Sequence, residues 1–414
     1  MPHIPEKPIT EARLPRPPDP SRVHRIETDA EALEVARRLA AEFAPGASHR
    51  DRERILPWEE LDRWSHSGLG GITVPREYGG ADVTYETLAE VFVILCAADP
   101  ALGQVPQNHF GLLGVLREIG TDEQKRRFYA EVLAGGRLGN AGPERKSATI
   151  LQGETRLKRT AEGLRLTGRR FYSTGALFAH RVPARAIDDA GRPVQVWVPR
   201  DAPGLSVIDD WSSLGQRTTA SGSVTFEAVP VDAADVLPVW QLADRPGLYG
   251  PNSQLVQAAI DQGIAVAAVA DAIAFVREKA RPWVDSGVER AADDPHLIQD
   301  VGRLQVDLHA AHEILHEAAR RLDAIASAPV TAEASARASV AVAEAKVLTT
   351  RIALDASEKL FELAGSSATR AQHNLDRHWR NARTHTLHDP VRWKTHLIGN
   401  YLLNGVRPAR HSWN

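Results

Sequence analysis

Cysteine is nearly missing from this chain, with one residue, Cys96, in 414. A single thiol excludes a disulfide framework and any zinc or iron–sulfur site built on cysteines. Cys96 lies inside the apolar run Val91–Ala98, which marks a buried, inert thiol rather than a nucleophile. An excess of charge of one sign is also lacking. Lys and Arg number 50 against 53 Asp and Glu, a formal net charge of −3, so no basic surplus points to nucleic acid or an anionic membrane as partner. No apolar run stands out as long enough to cross a bilayer, and the N-terminus has no signal-peptide core. Both point to a cytoplasmic protein with no membrane partner. What remains is an ordinary globular composition, 43% hydrophobic and 25% charged. The length exceeds that of a usual single core and predicts two or three packed units.

The organisation changes along the chain. Residues 1–27 carry prolines at 2, 5, 8, 15, 17, 18 and 20 and few apolar residues, and read as an extended arm, suited to lying on a neighbouring subunit. Residues 28–138 have helical periodicity. Thr28 and Glu31 have capping-box spacing, and Ala32, Val35, Ala36, Leu39 and Phe43 share one face. Residues 139–240 turn to short β-rich segments (155–160, 164–168, 194–198, 223–231) separated by turn signals, which predicts a small antiparallel β domain. Residues 241–414 return to long helices, predicted over 251–280, after Asp294-Pro295, and over 331–364. The second carries Leu297, Val301, Leu304, Leu308, Ala311, Leu315, Ala318, Leu322 and Ile325 in alternating steps of four and three, the seam of a bundle helix. With the C-terminal segment these make a four-helix bundle, and the fold class is α+β.

Three segments together carry a resemblance. They are Leu69-Gly-Gly-Ile-Thr-Val-Pro-Arg-Glu-Tyr-Gly-Gly80, Gly120-Thr-Asp-Glu-Gln-Lys125 and Gly168-Arg-Arg-Phe-Tyr-Ser-Thr-Gly175. In order and spacing they resemble the acyl-CoA dehydrogenase superfamily, which implies an N-terminal helical domain, a middle antiparallel β-barrel and a C-terminal four-helix bundle. Further segments, above all Asp376-Arg-His-Trp-Arg-Asn-Ala-Arg-Thr-His-Thr-Leu-His-Asp-Pro390, resemble the flavin-dependent sulfur monooxygenases within it, the dibenzothiophene monooxygenase and sulfur-acquisition type.

A dehydrogenase of this superfamily needs a carboxylate base. Nine residues beyond Arg380 stands Asp389, one methylene shorter than the family's Glu and followed by Pro390. A misplacement of about 1 Å can cost roughly a hundredfold, so Asp389 reads better as a turn or cap residue. An FAD-dependent acyl-CoA dehydrogenase using Asp389 is the alternative reading. A monooxygenase instead forms a flavin C4a-hydroperoxide, which must be kept from water and supplied with a proton. Imidazole and hydroxyl groups suit that task. The resemblance places His388 and Thr174 beside the flavin and His109 in the substrate pocket, as catalytic candidates. Asn140, Tyr172, Ser173, Thr174, Trp211 and His388 are then expected on the ring system. Arg281, from a neighbouring bundle, is expected on the phosphate. Gly365-Ser366-Ser367-Ala368 replaces the family's adenylate-binding glycine turn, and Ser366 and Ser367 suit a terminal phosphate, which favours FMN over FAD.

The plain readings of the same residues are a hydrogen-bonded structural histidine for His388 and His109, core packing for Trp211 and a solvated helix-end cation for Arg281. His385, His388 and Asp389 crowd into five positions with no second ligand cluster, so no metal is expected. The chain has no nicotinamide-binding βαβ unit, so a separate NAD(P)H-dependent reductase would supply reduced FMN. The expectation is a two-component enzyme using O2 on a small, sulfur-containing substrate. A homotetramer is also expected, because the α-helical seam and the Ala-rich stretch 332–345 offer more apolar face than one bundle hides. A flavin-free helical binding module is disfavoured by the intact 171–175 segment.

Overall fold

The computed structural model describes residues 13–144 and 153–414, so the first twelve residues of the expected arm lie outside the described residues. The described part of the arm lies on the chain's own helical and β units. The His24 amide bonds the His66 carbonyl at 2.8 Å, the Arg16 carbonyl meets His180 Nε2 at 2.9 Å, and Ile26 is buried.

Six helices follow: α1 (Asp29–Glu53), α2 (Trp58–His66), α3 (Tyr85–Ala98), α4 (Pro100–Gln104), α5 (Gln107–Ile119) and α6 (Asp122–Leu133). Thr28 caps α1 as its sequence predicts, but the Glu31 carboxylate accepts from the Glu27 amide rather than from that of Thr28. The full capping box belongs to α6, between Thr121 and Gln124.

The middle unit is a seven-stranded sheet: β1 (Arg156–Thr160), β2 (Gly163–Arg170), β3 (Arg181–Ile187), β4 (Pro193–Pro199), β5 (Leu205–Val207), β6 (Val224–Val231) and β7 (Val236–Leu237). Its order is β5-β6-β2-β1-β3-β4-β7. The sheet differs from the expected antiparallel barrel in two ways. β1 and β3 pair in parallel, and the described strands leave β5 and β7 as edges instead of closing on one another.

The C-terminal unit contains α7 (Gln241–Asp244), α8 (Tyr249–Glu278), α9 (Pro295–Ala326), α10 (Ala332–Ala364), α11 (Asp376–His385) and α12 (Arg392–Asn404). Asp294 caps α9 with Pro295 in its first turn. The α9 seam faces inward as predicted: Leu304, Leu308, Ala311, Leu315, Ala318 and Leu322 are buried, with Leu297, Val301 and Ile325 partly so. That seam is therefore consumed inside one chain, and so is most of the Ala-rich face of α10, where Ala336, Ala338, Ala341 and Ala345 are buried. Neither surface remains to argue for assembly.

One expectation needs correction. α8 is long and apolar enough to cross a membrane by length and composition, with a mean hydropathy of 1.7. Its apolar window is 67% buried within the chain, so packing against α3 and α10 accounts for its composition. Asp261 and the Gln residues at 254, 257 and 262 interrupt the run, so the sequence shows no unbroken apolar stretch there.

Candidate functional site

The segment after β2 departs from regular structure because its backbone is committed to several partners. The Phe171 amide donates to Pro143, the Ser173 amide to Gly222, and the Asn140 amide to the Thr174 carbonyl. Tyr172 is held at φ 56°, and across from it Gln216 and Ala220 both sit at φ 47°. Non-glycine residues in this region cost about 1–3 kcal/mol each and persist where the surroundings over-determine them, commonly at functional sites. Tyr172 stands half-exposed, its ring 4.8 Å from Phe171 and 6.0 Å from Trp211, so three aromatic faces form a wall.

Behind that wall runs a chain of hydroxyls whose proton directions can be followed. Thr219 donates to the Gln216 carbonyl at 3.0 Å, which uses its only proton. Ser221, 2.8 Å away, must then donate to Thr219, and Thr174 must donate to Ser221 at 2.7 Å. Thr174 is left with a free lone pair rather than a free proton. Trp211 Nε1 donates to the same Gln216 carbonyl at 3.0 Å, which fixes the indole as part of this framework. The Ser173 hydroxyl and Gln216 Oε1 are buried without a partner among the described residues. Such orphaned atoms call for an explanation, and a polar ligand edge is one.

The C-terminal unit contributes a second group of candidates, joined to this framework through Gln216. The Gln216 amide donates to Asn381 Oδ1 at 2.7 Å, and Gly215 lies so close to the Arg380 carbonyl that any Cβ there would collide with it. These contacts seat the loop after β5 on α11. α11 is pinned to α8 in turn, with Arg377 and His378 both on Asp271 at 2.6 and 2.8 Å. One turn beyond Asn381, His385 Nδ1 meets Asp261 at 2.5 Å, and the other Asp261 oxygen takes Lys346 at 2.8 Å and Thr350 at 2.9 Å. All four groups are buried. Burial opposes charge on Asp261, yet the Lys346 and His385 partners overcome it and hold its pKa down at about 2.

His388 follows on the turn after α11, its amide bonded to the His385 carbonyl at 3.0 Å. Its Nδ1 lies 3.4 Å from Asp389 and its Nε2 3.3 Å from the Gln257 amide nitrogen, while the side chain stays about one-third exposed at 36%. A carboxylate beside Nδ1 selects the Nδ1–H tautomer, so Nε2 accepts from Gln257. Gln257 Oε1 has no partner among the described residues, and turning the amide over would let it accept from a protonated His388 instead. His388 opens on a cleft of about 470 Å³ roofed by the C-terminal tail, with Trp393, His396 and Trp413 among its walls. Asp389 is buried, and although burial alone would raise its pKa, the His388 hydrogen bond and the Lys346 and Lys394 charges hold its carboxyl well below the usual range. It is a weak base, paired with Lys394 at 3.3 Å and with the His388 imidazole at 3.4 Å.

Two groups of expected residues sit elsewhere. His109 is buried inside the helical unit, its Nε2 donating to the Gly70 carbonyl at 2.8 Å and its Nδ1 accepting from the Leu138 amide at 3.1 Å. Burial brings its pKa down to about 4, so it is a neutral ring with both nitrogens taken by backbone. This geometry does not fit the catalytic expectation for His109, because no nitrogen faces a cleft. His109→Ala should leave two buried backbone groups unpaired and a hole, at a cost of about 2–4 kcal/mol. Thermal unfolding checks this, and an unchanged melting temperature with lost turnover would restore the chemical role. Arg281, Ser366 and Ser367 are exposed at the far end of α8, where His373 meets Phe275 edge-on at 5.1 Å. From Gln257 to the end of α8 at Glu278 is about 30 Å at 1.5 Å per residue. One chain therefore does not bring its phosphate candidates to its own His388.

Sequence reasoning missed Gln216, Ser221, Asn381, Gln257, Asp261 and Lys346. One signal was available, since an ionisable residue inside an apolar helix, as at Asp261, implies a buried partner.

The chain matches the acyl-CoA dehydrogenase N-terminal domain over residues 27–136 and the acyl-CoA dehydrogenase C-terminal domain over residues 255–393. It is 32% identical over 400 residues to a dibenzothiophene monooxygenase of Rhodococcus erythropolis, covering 93% of this chain and 96% of the relative. It is 31% identical over 385 residues to a probable FMNH2-dependent monooxygenase, SfnC, of Pseudomonas putida, covering 91% and 96%. The FMN-bound crystal structure of TdsC from Paenibacillus sp. A11-2 superposes with a TM-score of 0.88 at 32% identity, covering 92% of this chain and 100% of that one.

Proposed function

The chain belongs to the acyl-CoA dehydrogenase family, and from that premise we propose that it is an FMNH2-dependent monooxygenase of small, sulfur-containing compounds. The observation that carries this reading is likeness over nine-tenths of the chain to relatives described as monooxygenases, one of them FMN-bound. The chemistry of the site agrees. A dehydrogenase base must be able to take a proton, and Asp389 is held ionised far below the range where a carboxylate does so well. The FAD-dependent dehydrogenase alternative is the weaker reading.

The residues present fit a flavin. The aromatic wall of Phe171, Tyr172 and Trp211 suits a flat ring, and Asn140, the orphaned Ser173 hydroxyl and the Thr174 lone pair suit its polar edge. Reduced FMN, when bound, supplies the electrons that activate O2, and a separate NAD(P)H-dependent reductase provides it. His388 holds a proton in a cleft it shares with substrate and gives it up there, and Gln257 accommodates either state of the ring by turning its amide. Thr174, its own proton spent on Ser221, orients by accepting a hydrogen bond.

Arg281, Ser366 and Ser367 serve a phosphate held between chains, which requires an assembly, and we take that to be a homotetramer. Trp283, Val284, Leu402 and Leu403, all at least 69% exposed, support such contacts. Domain limits at 28–138, 139–240 and 241–414, and a cytoplasmic location suited to an NAD(P)H-driven partner, complete the reading.

Anaerobic equilibrium titration tests it. FMNH2 should bind more tightly than oxidised FMN or FAD, and flavin should be retained only weakly on purification. Mixing the reduced complex with ¹⁸O2 and an organic sulfide should place ¹⁸O in the product. Stoichiometric, tightly held FAD that acyl-CoA bleaches would overturn the reading.

A further inference from the structure

We propose that Glu90, His312 and His316 form a binding site for a divalent transition-metal ion on the seam between α3 and α9, independent of the flavin reading. One ligand atom from each residue lies within 4.8 Å of the others. His312 and His316 are four apart on α9 and so share one helical face, with their rings 4.3 Å apart. Glu90 reaches them from α3, its carboxylate 3.1 Å from His316 Nε2 and 3.9 Å from His312 Nε2. In a tetrahedral site with bonds of about 2.0–2.1 Å, ligand atoms stand roughly 3.4 Å apart. Closing the present separations takes only side-chain rotation. His312 and Glu90 are 33% and 23% exposed and free to make it. Imidazole with carboxylate suits Zn²⁺, Ni²⁺ or Cu²⁺ rather than Mg²⁺ or Ca²⁺.

A second observation points the same way. His316 Nδ1 lies 3.1 Å from Glu86, which Arg320 anchors at 2.8 Å. A carboxylate on the far nitrogen fixes the tautomer and leaves Nε2 as the metal-facing atom, the arrangement that orients metal-bound histidines. The plain reading is a protonated His316 bridging two carboxylates as an ion-pair staple. In that reading nothing requires His312, whose ring lies tilted against His316 with its Nε2 also turned to Glu90. Glu86 and Glu90 against Arg320 leave one net negative charge around neutral imidazoles, which a dication reverses. Neither α3 nor α9 carries a residue assigned above to flavin or substrate, so the ion would join the N-terminal helices to the bundle.

The test is calorimetric titration of untagged, chelator-treated protein with Zn²⁺, with Co²⁺ absorption as the reporter of coordination. One ion per chain should bind and raise the melting temperature. His312→Ala, which removes no close ion pair, should weaken binding at least tenfold and abolish the thermal shift. Glu86→Gln should weaken it about ten- to a hundredfold. His309→Ala, whose nearest acid is Glu313 at 3.6 Å, should change nothing. Absence of saturable binding at one ion per chain, or binding by His312→Ala equal to that of the parent, would overturn the proposal.

Discussion

Lys346→Met should lower the stability of the protein by about 3–5 kcal/mol, the cost of leaving one member of a buried ion pair without its partner. Lys346 and Asp261 are each almost wholly buried and 2.8 Å apart, so Asp261 would keep its charge in a dry core with only His385 and Thr350 to answer it. The double substitution Asp261→Asn with Lys346→Met removes both charges and should recover most of the loss. The pH dependence carries a sign. Asp261 titrates at about 2 in the fold against 3.8 as its ordinary value. Its depressed pKa therefore contributes stability that is fully present above pH 4 and disappears as pH falls from about 4 through 2. The gap between parent and Lys346→Met should narrow across that window. Thermal unfolding at several pH values reads all of this. A single variant as stable as the parent, or a double variant worse than either single one, would mean that the triad is not a coupled unit. Because His385 ends the helix that leads to His388, the single variant should also lose activity at temperatures where it remains folded.

That triad shows where a sequence stops being legible. Asp261, Lys346 and His385 are separated by 85 and 39 positions, and each sits in a segment whose local pattern says only that a helix is present. The periodicity that exposes the α9 seam depends on one polar face, and α8 has no such face because it is enclosed by neighbours. Its polar residues look like interruptions until the fold supplies their partners. Strands β1, β2, β4 and β6 were visible as β-rich runs, whereas β3 contains Pro183, which argues against a strand read alone. The strand continues through it, with the Pro183 carbonyl accepting from the Ala141 amide at 3.0 Å. Whether a sheet closes depends on pairing between distant strands, and the barrel expectation differed from the structure at that point. At the site, Phe171–Gly175 and the turn carrying His388 could be named from the chain. The order of proton donation through Thr174, Ser221 and Thr219 could not, because it depends on a carbonyl that the fold brings in at Gln216.

His388→Ala should uncouple the enzyme while leaving flavin binding nearly unchanged. His388 touches Gln257 and Asp389 and opens on the cleft, whereas the proposed phosphate grip comes from Arg281, Ser366 and Ser367 of a neighbouring chain. Losing the imidazole removes a proton donor, and general acid help of this kind is worth about a hundredfold to ten-thousandfold. Product should fall by that order, while O2 uptake continues and appears as hydrogen peroxide. Asp389→Asn is the comparison. Its carboxylate sits between His388 and Lys394, 3.3 Å from the latter, so its loss should mainly lower the melting temperature and shift the His388 ring. A dehydrogenase relying on Asp389 would instead lose all turnover with its stability intact. The ratio of product to hydrogen peroxide, measured with FMNH2 from an unrelated reductase, separates the two. A fully coupled His388→Ala beside a dead but stable Asp389→Asn would reverse the roles assigned to this turn.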